Sequence, residues 1–222
     1  MSLYLRQLQL GPMENFVYLV GAEGARETAV IDCAWDVEAV LAAVAADGRM
    51  LTHALVSHSH YDHSHGLVPL LEKQGVRVLA HALDLADLPG EVQGEVAPVS
   101  GGAAVEVGPL RILALHTPGH TPGSVTWHLP AGLATGPGAV FSGDTLFVNA
   151  CGRCDLPGGD QEQMFESLRR LSLLGDAVTV YPGHDYGDVP VSSIGREKEH
   201  NPYLVRLGEL ERFVALRSQP RS

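Results

Sequence analysis

Near the start of the chain, Leu3 to Leu10, Phe16 to Val20 and Thr28 to Asp32 are short, mostly apolar runs with turn residues between them, at Gly11-Pro12 and across Gly21 to Gly24. Runs of this length bounded by glycine and proline predict strands, and their close succession predicts an antiparallel meander. From Asp36 the period changes. Val37, Val40, Leu41 and Val44 fall at i, i+3, i+4 and i+7, with Asp36 as the N-cap and Gly48 as the stop, which predicts a helix with one apolar stripe. His53 to Val56 then reads as a buried strand, a helical stretch follows from Gly66 to Gly75, and Val76 to Ala80 is another strand.

Residues 81 to 103 follow no period, and Pro89-Gly90, Gly94, Pro98 and Gly101-Gly102 mark loops there. Strands resume at Leu110 to Leu115, Ser124 to Leu129, Ala139 to Ser142 and Ala177 to Tyr181. An amphipathic helix spans Asp160 to Leu174 on Met164, Phe165, Leu168 and Leu171, and a last one spans Tyr203 to Leu216 on Leu204, Leu207, Leu210 and Val214. No linker, charge block or fixed-period repeat divides the sequence, so residues 1 to 222 are expected to form a single domain.

Composition removes several partners. The formal net charge is -11, and no basic cluster exceeds a pair such as Arg169-Arg170, so the electrostatic footprint of a nucleic-acid binder is lacking. No segment approaches the roughly 18 apolar residues of a membrane span, and the opening residues carry no apolar run of signal-peptide length. Cys33, Cys151 and Cys154 are too few for a disulfide framework, which points to the cytoplasm. The oligomeric state is not encoded at this level, and a homodimer is compatible with it.

The candidate chemistry begins where the strand His53 to Val56 ends. Ser57 to Pro69 reads SHSHYDHSHGLVP and holds His58, His60, Asp62 and His63 on what is expected to be a loop. Imidazole nitrogens mixed with a carboxylate oxygen suit zinc or non-haem iron better than magnesium or calcium. Three later strand ends also carry histidine or aspartate: TPGHTPGS with His120, FSGDTLF with Asp144 and YPGHDYG with His184.

Taken in that order, SHSHYDH, TPGHTPGS, FSGDTLF and YPGHDYG resemble the metallo-β-lactamase superfamily from about Met13 to Tyr203. The resemblance implies an α/β fold, an αββα sandwich of two mixed sheets with helices on the outer faces, and two divalent metal ions at one edge of the paired sheets. It implies His58, His60 and His120 as ligands of the first metal, Asp62, His63 and His184 of the second, and Asp144 as the bridge. Zinc is the first choice of metal, with iron or manganese accepted by the same ligands. Asp62 and Asp144 are the implied catalytic residues, with Asp62 orienting a metal-bridging hydroxide.

Within the superfamily the chain is similar to the glyoxalase II (hydroxyacylglutathione hydrolase) type and to the persulfide dioxygenases, which share a C-G-[KR] segment, here Cys151-Gly152-Arg153. The resemblance implies that Arg153 grips a carboxylate of glutathione and that Tyr186 binds the same ligand; a surface ion pair and a packing tyrosine are the plainer readings. Two departures leave the carrier thiol open. Arg153 is followed by Cys154 and Asp155 instead of an aromatic pair, and glyoxalase II carries a longer helical C-terminus with further cations. Tyr61 inside the first motif is more typical of the hydrolases.

The expected function is therefore a metal-dependent hydrolase of a small acyl thioester, an enzyme with no nucleic-acid or membrane partner. A mononuclear iron persulfide dioxygenase, with iron on His58, His120 and Asp144, is the alternative. A binding module without activity ranks last, because all seven ligand positions are filled. Of the remaining residues, Cys33 is expected to be a small buried filler, with a site at the rim of the metal centre as the sharper alternative. Cys151 and Cys154 are expected to be unreactive loop thiols, and His65 and His116 to be hydrogen-bond partners of the ligands.

Overall fold

The computed structural model describes residues 2–132 and 136–218, so the outermost limits of the expected 1–222 domain lie outside the described residues. The first half of the chain folds in the order β1 (Leu3–Leu10), β2 (Asn15–Ala22), β3 (Glu27–Ile31), α1 (Val37–Ala46), β4 (Met50–Leu55), α2 (Tyr61–Ser64), α3 (Leu67–Lys73), β5 (Arg77–His81) and β6 (Val96–Val99). These strands form one six-stranded sheet in sequence order, antiparallel through β3 and parallel from β3 to β6. The expected meander is its antiparallel part. The crossover through α1 makes the rest parallel, since a parallel neighbour needs a connection of that length.

The second half adds β7 (Ala104–Val107), β8 (Leu110–His116), β9 (Val125–Leu129), β10 (Ala139–Gly143), β11 (Leu146–Phe147), β12 (Ala150–Cys151), α4 (Gln161–Ser172), β13 (Thr179–Pro182), β14 (Ser192–Ser193), α5 (Ile194–His200) and α6 (Leu210–Arg217). Six of these strands make a second mixed sheet in the order β14-β13-β10-β9-β8-β7, and β11 pairs with β12 as a separate hairpin.

The layers follow from the alternation of side chains across each strand. In β2, Phe16, Tyr18 and Val20 face Ile112, Trp127 and Phe141 of the second sheet, in the core between the two. Val17 and Leu19 point the other way and pack with Val40 and Val44 of α1 and Leu67 and Leu70 of α3. On the far side, Val140 and Val180 of the second sheet meet Met164 and Leu168 of α4 and Phe213 of α6. Every residue of β2 is therefore buried. This is the αββα sandwich, two mixed sheets with helices on both outer faces.

Contacts between the sheets fix the strand ends that carry the chemistry. The Trp127 indole, fully buried, donates to the Val56 carbonyl at 3.2 Å, and the Tyr18 hydroxyl donates to the Pro182 carbonyl at 2.6 Å. Buried aromatics with a polar tip usually find such a partner. Two backbone bonds add to them, from Val125 N to Ser57 O at 2.7 Å and from Phe16 N to Gly183 O at 2.8 Å.

Several elements depart from expectation. The loop after β4 contains α2, which carries Asp62 and His63, and the expected Gly66 to Gly75 helix is α3. The unordered region from 81 to 103 holds a 3-10 turn at Ala82–Asp87 and the strand β6. The expected helix from Tyr203 to Leu216 is split into a 3-10 turn at Leu204–Arg206 and α6, with Gly208 between them.

Candidate metal centre

His58 and His60 leave the end of β4, Asp62 and His63 sit on α2, His120 lies in the turn between β8 and β9, Asp144 directly follows β10, and His184 follows β13. The two sheets deliver these side chains to one place. His58, His60 and His120 offer ligand atoms within 4.8 Å of one another, as do Asp62, His63 and His184, and His58, His63 and Asp144. All seven expected donors are thus brought together. The chain must come very close here: a Cβ at Gly183 would lie 2.6 Å from Asp144 Oδ1 and 3.0 Å from the His63 ring, so no side chain fits at that position.

Four of the rings are oriented from behind, through Nδ1. His120 Nδ1 donates to Arg153 O at 2.7 Å and His184 Nδ1 to Met13 O at 2.8 Å. His63 Nδ1 donates to Asp32 Oδ2 at 3.0 Å. Ser57 Oγ donates to the same oxygen at 2.7 Å, so it receives the His58 Nδ1 hydrogen at 2.9 Å. Each bond fixes the tautomer that leaves Nε2 facing inward, the usual way an outer hydrogen bond sets a metal-binding imidazole.

The inward-facing atoms fit a cation. Among the described residues His58 Nε2, His120 Nε2 and Asp144 Oδ1 are buried without a hydrogen-bond partner, and His63 Nε2 faces His184 Nε2 at 3.1 Å. Buried polar atoms are almost always satisfied, and converging lone pairs repel unless a positive charge lies between them. Burial opposes a charge on His184, but Asp144 and Asp62 outweigh it and push its pKa up to about 9. Burial is outweighed at His63 too, where Asp144 and Asp32 raise the ring well above the usual histidine range. His58 lies well below that range, through burial first and then the neighbouring His63. The carboxylate of Asp144 is held well below its ordinary value despite burial, by His63 and His184. A site that draws protons this strongly toward the carboxylates draws a metal ion to the same place.

Residues whose letters gave no hint of a role complete the support. Asp32 is buried and also accepts the Ser57 backbone N–H at 2.7 Å. Asn15 Nδ2 donates to Asp62 Oδ2 at 3.0 Å and is itself held by the Trp35 indole at 2.7 Å. Asp84, fully buried, accepts from Ser59 N, Thr121 Oγ1 and Gly123 N at 2.9, 2.8 and 2.6 Å, which ties the first motif to the turn carrying His120. For Asp32 the only sequence signal is a carboxylate closing an apolar strand.

His65 and His116 are not partners of the ligands. His65 accepts from Trp35 N at 3.0 Å and donates to Tyr61 O at 2.8 Å, while His116 bonds Pro122 O at 2.8 Å and stacks on His81. Cys33 packs among Val17, Leu67 and Leu70 at 1% exposure, and burial pushes its thiol up to about 12, so it is the filler and not a reactive rim group. Cys154 is buried as well, with its thiol raised to about 11 chiefly by burial.

A cavity of about 470 Å³ opens over the centre. Met13, Tyr61, Phe147 and Leu156 give it apolar walls, while Arg153 and Tyr186 line it beside His120 and His184. Tyr186 stacks on the His184 ring at 4.5 Å between centroids, and Tyr61, 69% exposed, stacks on His65 at the rim.

The family model of the metallo-beta-lactamase superfamily matches residues 10–184. The chain belongs to this superfamily. The hydroxyacylglutathione hydrolase of Mesorhizobium japonicum is 36% identical over 176 residues, covering 78% of this chain and 63% of the relative, so the chain spans just under two thirds of that protein. The crystal structure of ETHE1 from Myxococcus xanthus superposes with a TM-score of 0.85 at 34% identity, over 98% of this chain and 92% of that one. TTHA1623, crystallised in a di-iron-bound form, gives a TM-score of 0.75 at 34% identity, over 90% of this chain and all of that one. This chain brings its histidine and aspartate donors together from strand ends and from α2.

Proposed function

We propose that this chain is a dinuclear metal-dependent hydrolase of small acyl thioesters, working in a reducing cytoplasm as a single domain of residues 1 to 222. The observation that carries the reading is the completeness of the second cluster. Asp62 Oδ2 lies 3.3 Å from both His63 Nε2 and His184 Nε2, so a second ion would have three donors of its own besides the His58, His60 and His120 set. Asp144, with Oδ1 at 3.4 Å from His63 and His184 and Oδ2 at 3.4 Å from His120, is arranged as the bridge. Two divalent ions, zinc first, would be held by these residues and would supply Lewis acidity and a water acidified to about pKa 7. The likeness to TTHA1623 in its di-iron form and to hydroxyacylglutathione hydrolase supports both the metal count and the reaction.

The chain's own part in the reaction is orientation and binding. Asn15 holds the Asp62 carboxylate, so that its lone pairs direct the nucleophile. Arg153 and Tyr186, which line the cavity, take the anionic end of the carrier, and Met13, Phe147 and Leu156 exclude water from the acyl end. The plainer role of Arg153 as half of a surface ion pair also exists in the structure, with Asp155.

A second reading, a mononuclear iron persulfide dioxygenase on His58, His120 and Asp144, is supported by the likeness to ETHE1, which runs almost end to end in both chains. One experiment separates the two. Protein produced with both iron and zinc available is analysed for metal and assayed with S-lactoylglutathione and, by oxygen uptake, with glutathione persulfide. Two metal equivalents with thioester turnover, both lost in Asp144→Ala, are expected. A single iron with persulfide-dependent oxygen uptake would replace the first reading by the second.

A further inference from the structure

The fork of Arg153 is already filled. Its Nε and Nη2 donate to Asp155 Oδ1 and Oδ2 at 3.0 and 2.8 Å, the two-point pairing that a carboxylate of the substrate would need. Both side chains are more than half exposed, at 53% and 59%, so water competes for the pair and it opens readily.

Behind it, Arg217 reaches in from α6. Its side chain is 5% exposed, Nη1 donates to the Tyr203 hydroxyl at 3.1 Å, and Nη2 stands 4.0 Å from Asp155 Oδ1, too far for a hydrogen bond. Its Nε is buried with no hydrogen-bond partner among the described residues. A buried guanidinium is stabilised by a carboxylate at hydrogen-bond distance, and Asp155 swinging toward Nη2, the nitrogen it already faces, would close that 4.0 Å gap to a charge-assisted hydrogen bond.

We infer that Asp155 is an internal competitor for Arg153, displaced by the carboxylate of the incoming carrier and received by Arg217. The inference rests on Arg153 binding that carboxylate, as proposed above. It makes Asp155 a specificity-determining residue. A ligand able to fill both donors of Arg153 exchanges one hydrogen-bonded ion pair for two, whereas a neutral carrier leaves the Arg153–Asp155 pair in place. No bond is made or broken in the exchange, and no proton moves.

The test is equilibrium binding by calorimetry, on metal-loaded protein, of S-hexylglutathione and of its diethyl ester. Asp155→Asn is expected to tighten S-hexylglutathione about two- to fivefold, the range of an exposed ion pair, without affecting the diester. Arg153→Ala is expected to weaken S-hexylglutathione and to abolish the gain from Asp155→Asn. Arg217→Met, with folding checked by its thermal midpoint, is expected to weaken binding when Asp155 is present and to change nothing in the Asp155→Asn background. Unchanged or weaker binding by Asp155→Asn, together with a loss in Arg153→Ala, would overturn the competitor and leave the role of Arg153 intact. No effect of Arg153→Ala, or no binding by the parent protein, would overturn both.

Discussion

Asp32 holds three hydrogen bonds from a backbone φ of 56°, a conformation few residues other than glycine, asparagine and aspartate adopt. Asparagine tolerates that geometry but carries no charge and cannot accept at both positions. Asp32→Asn should therefore fold normally yet free the His58 and His63 rings, lowering metal affinity about 10- to 100-fold in chelator competition. Affinity equal to the parent would show that the rings are held by something else. The ligands themselves were legible because each lies in a short run of histidine or aspartate beside glycine or proline at a strand end. Asp32, Asn15 and Asp84 were not, since Asp84 meets Ser59 from 25 residues away and Asp32 meets His63 from 31, and neither separation leaves a local pattern.

Among the elements, α1 was readable from end to end because its cap and its stripe agree. The Asp36 side chain accepts from Ala39 N at 2.9 Å, and Val37, Val40 and Val44 are buried. Asp36→Ala should cost about 1 kcal/mol, seen as a lower denaturant midpoint with an unchanged slope. By contrast α5, IGREKEH, gave no apolar stripe because one of its two buried residues is Glu197, which accepts from Asn149 N at 2.8 Å and Asn201 Nδ2 at 2.9 Å. A charged residue that faces inward inverts the pattern on which helix reading depends. β6 was lost for another reason: Pro98 interrupts VAPV, and proline is tolerated there because β6 is the edge strand of its sheet. The four residues of α2 are too few to display a period at all.

Across the whole molecule, most strands were legible as short apolar runs, but the two-sheet sandwich only through the resemblance carried by the four motifs, since the pairing of the sheets depends on contacts between distant halves of the chain. The same burial sets a response to acid. His53, His81 and His128 all have pKa values lowered mainly by burial, from an ordinary 6.5. Below that value the unfolded chain binds protons that the folded chain resists, so stability rises with pH through this window and is lost as pH falls below 6.5. In metal-loaded protein, where His63 and His184 are not free to take up protons, thermal midpoints should decline from pH 7 toward pH 5.5, and His128→Gln should flatten part of that slope; a parallel decline in the variant would remove His128 from the account. The spread of the donors along the chain, from His58 to His184, also imposes an order in time. During synthesis His58, His60, Asp62 and His63 come first, but the carbonyl that orients the His120 ring belongs to Arg153 and the last donor, His184, follows His120 by 64 residues, so the full set of donors cannot assemble until β13 has been made.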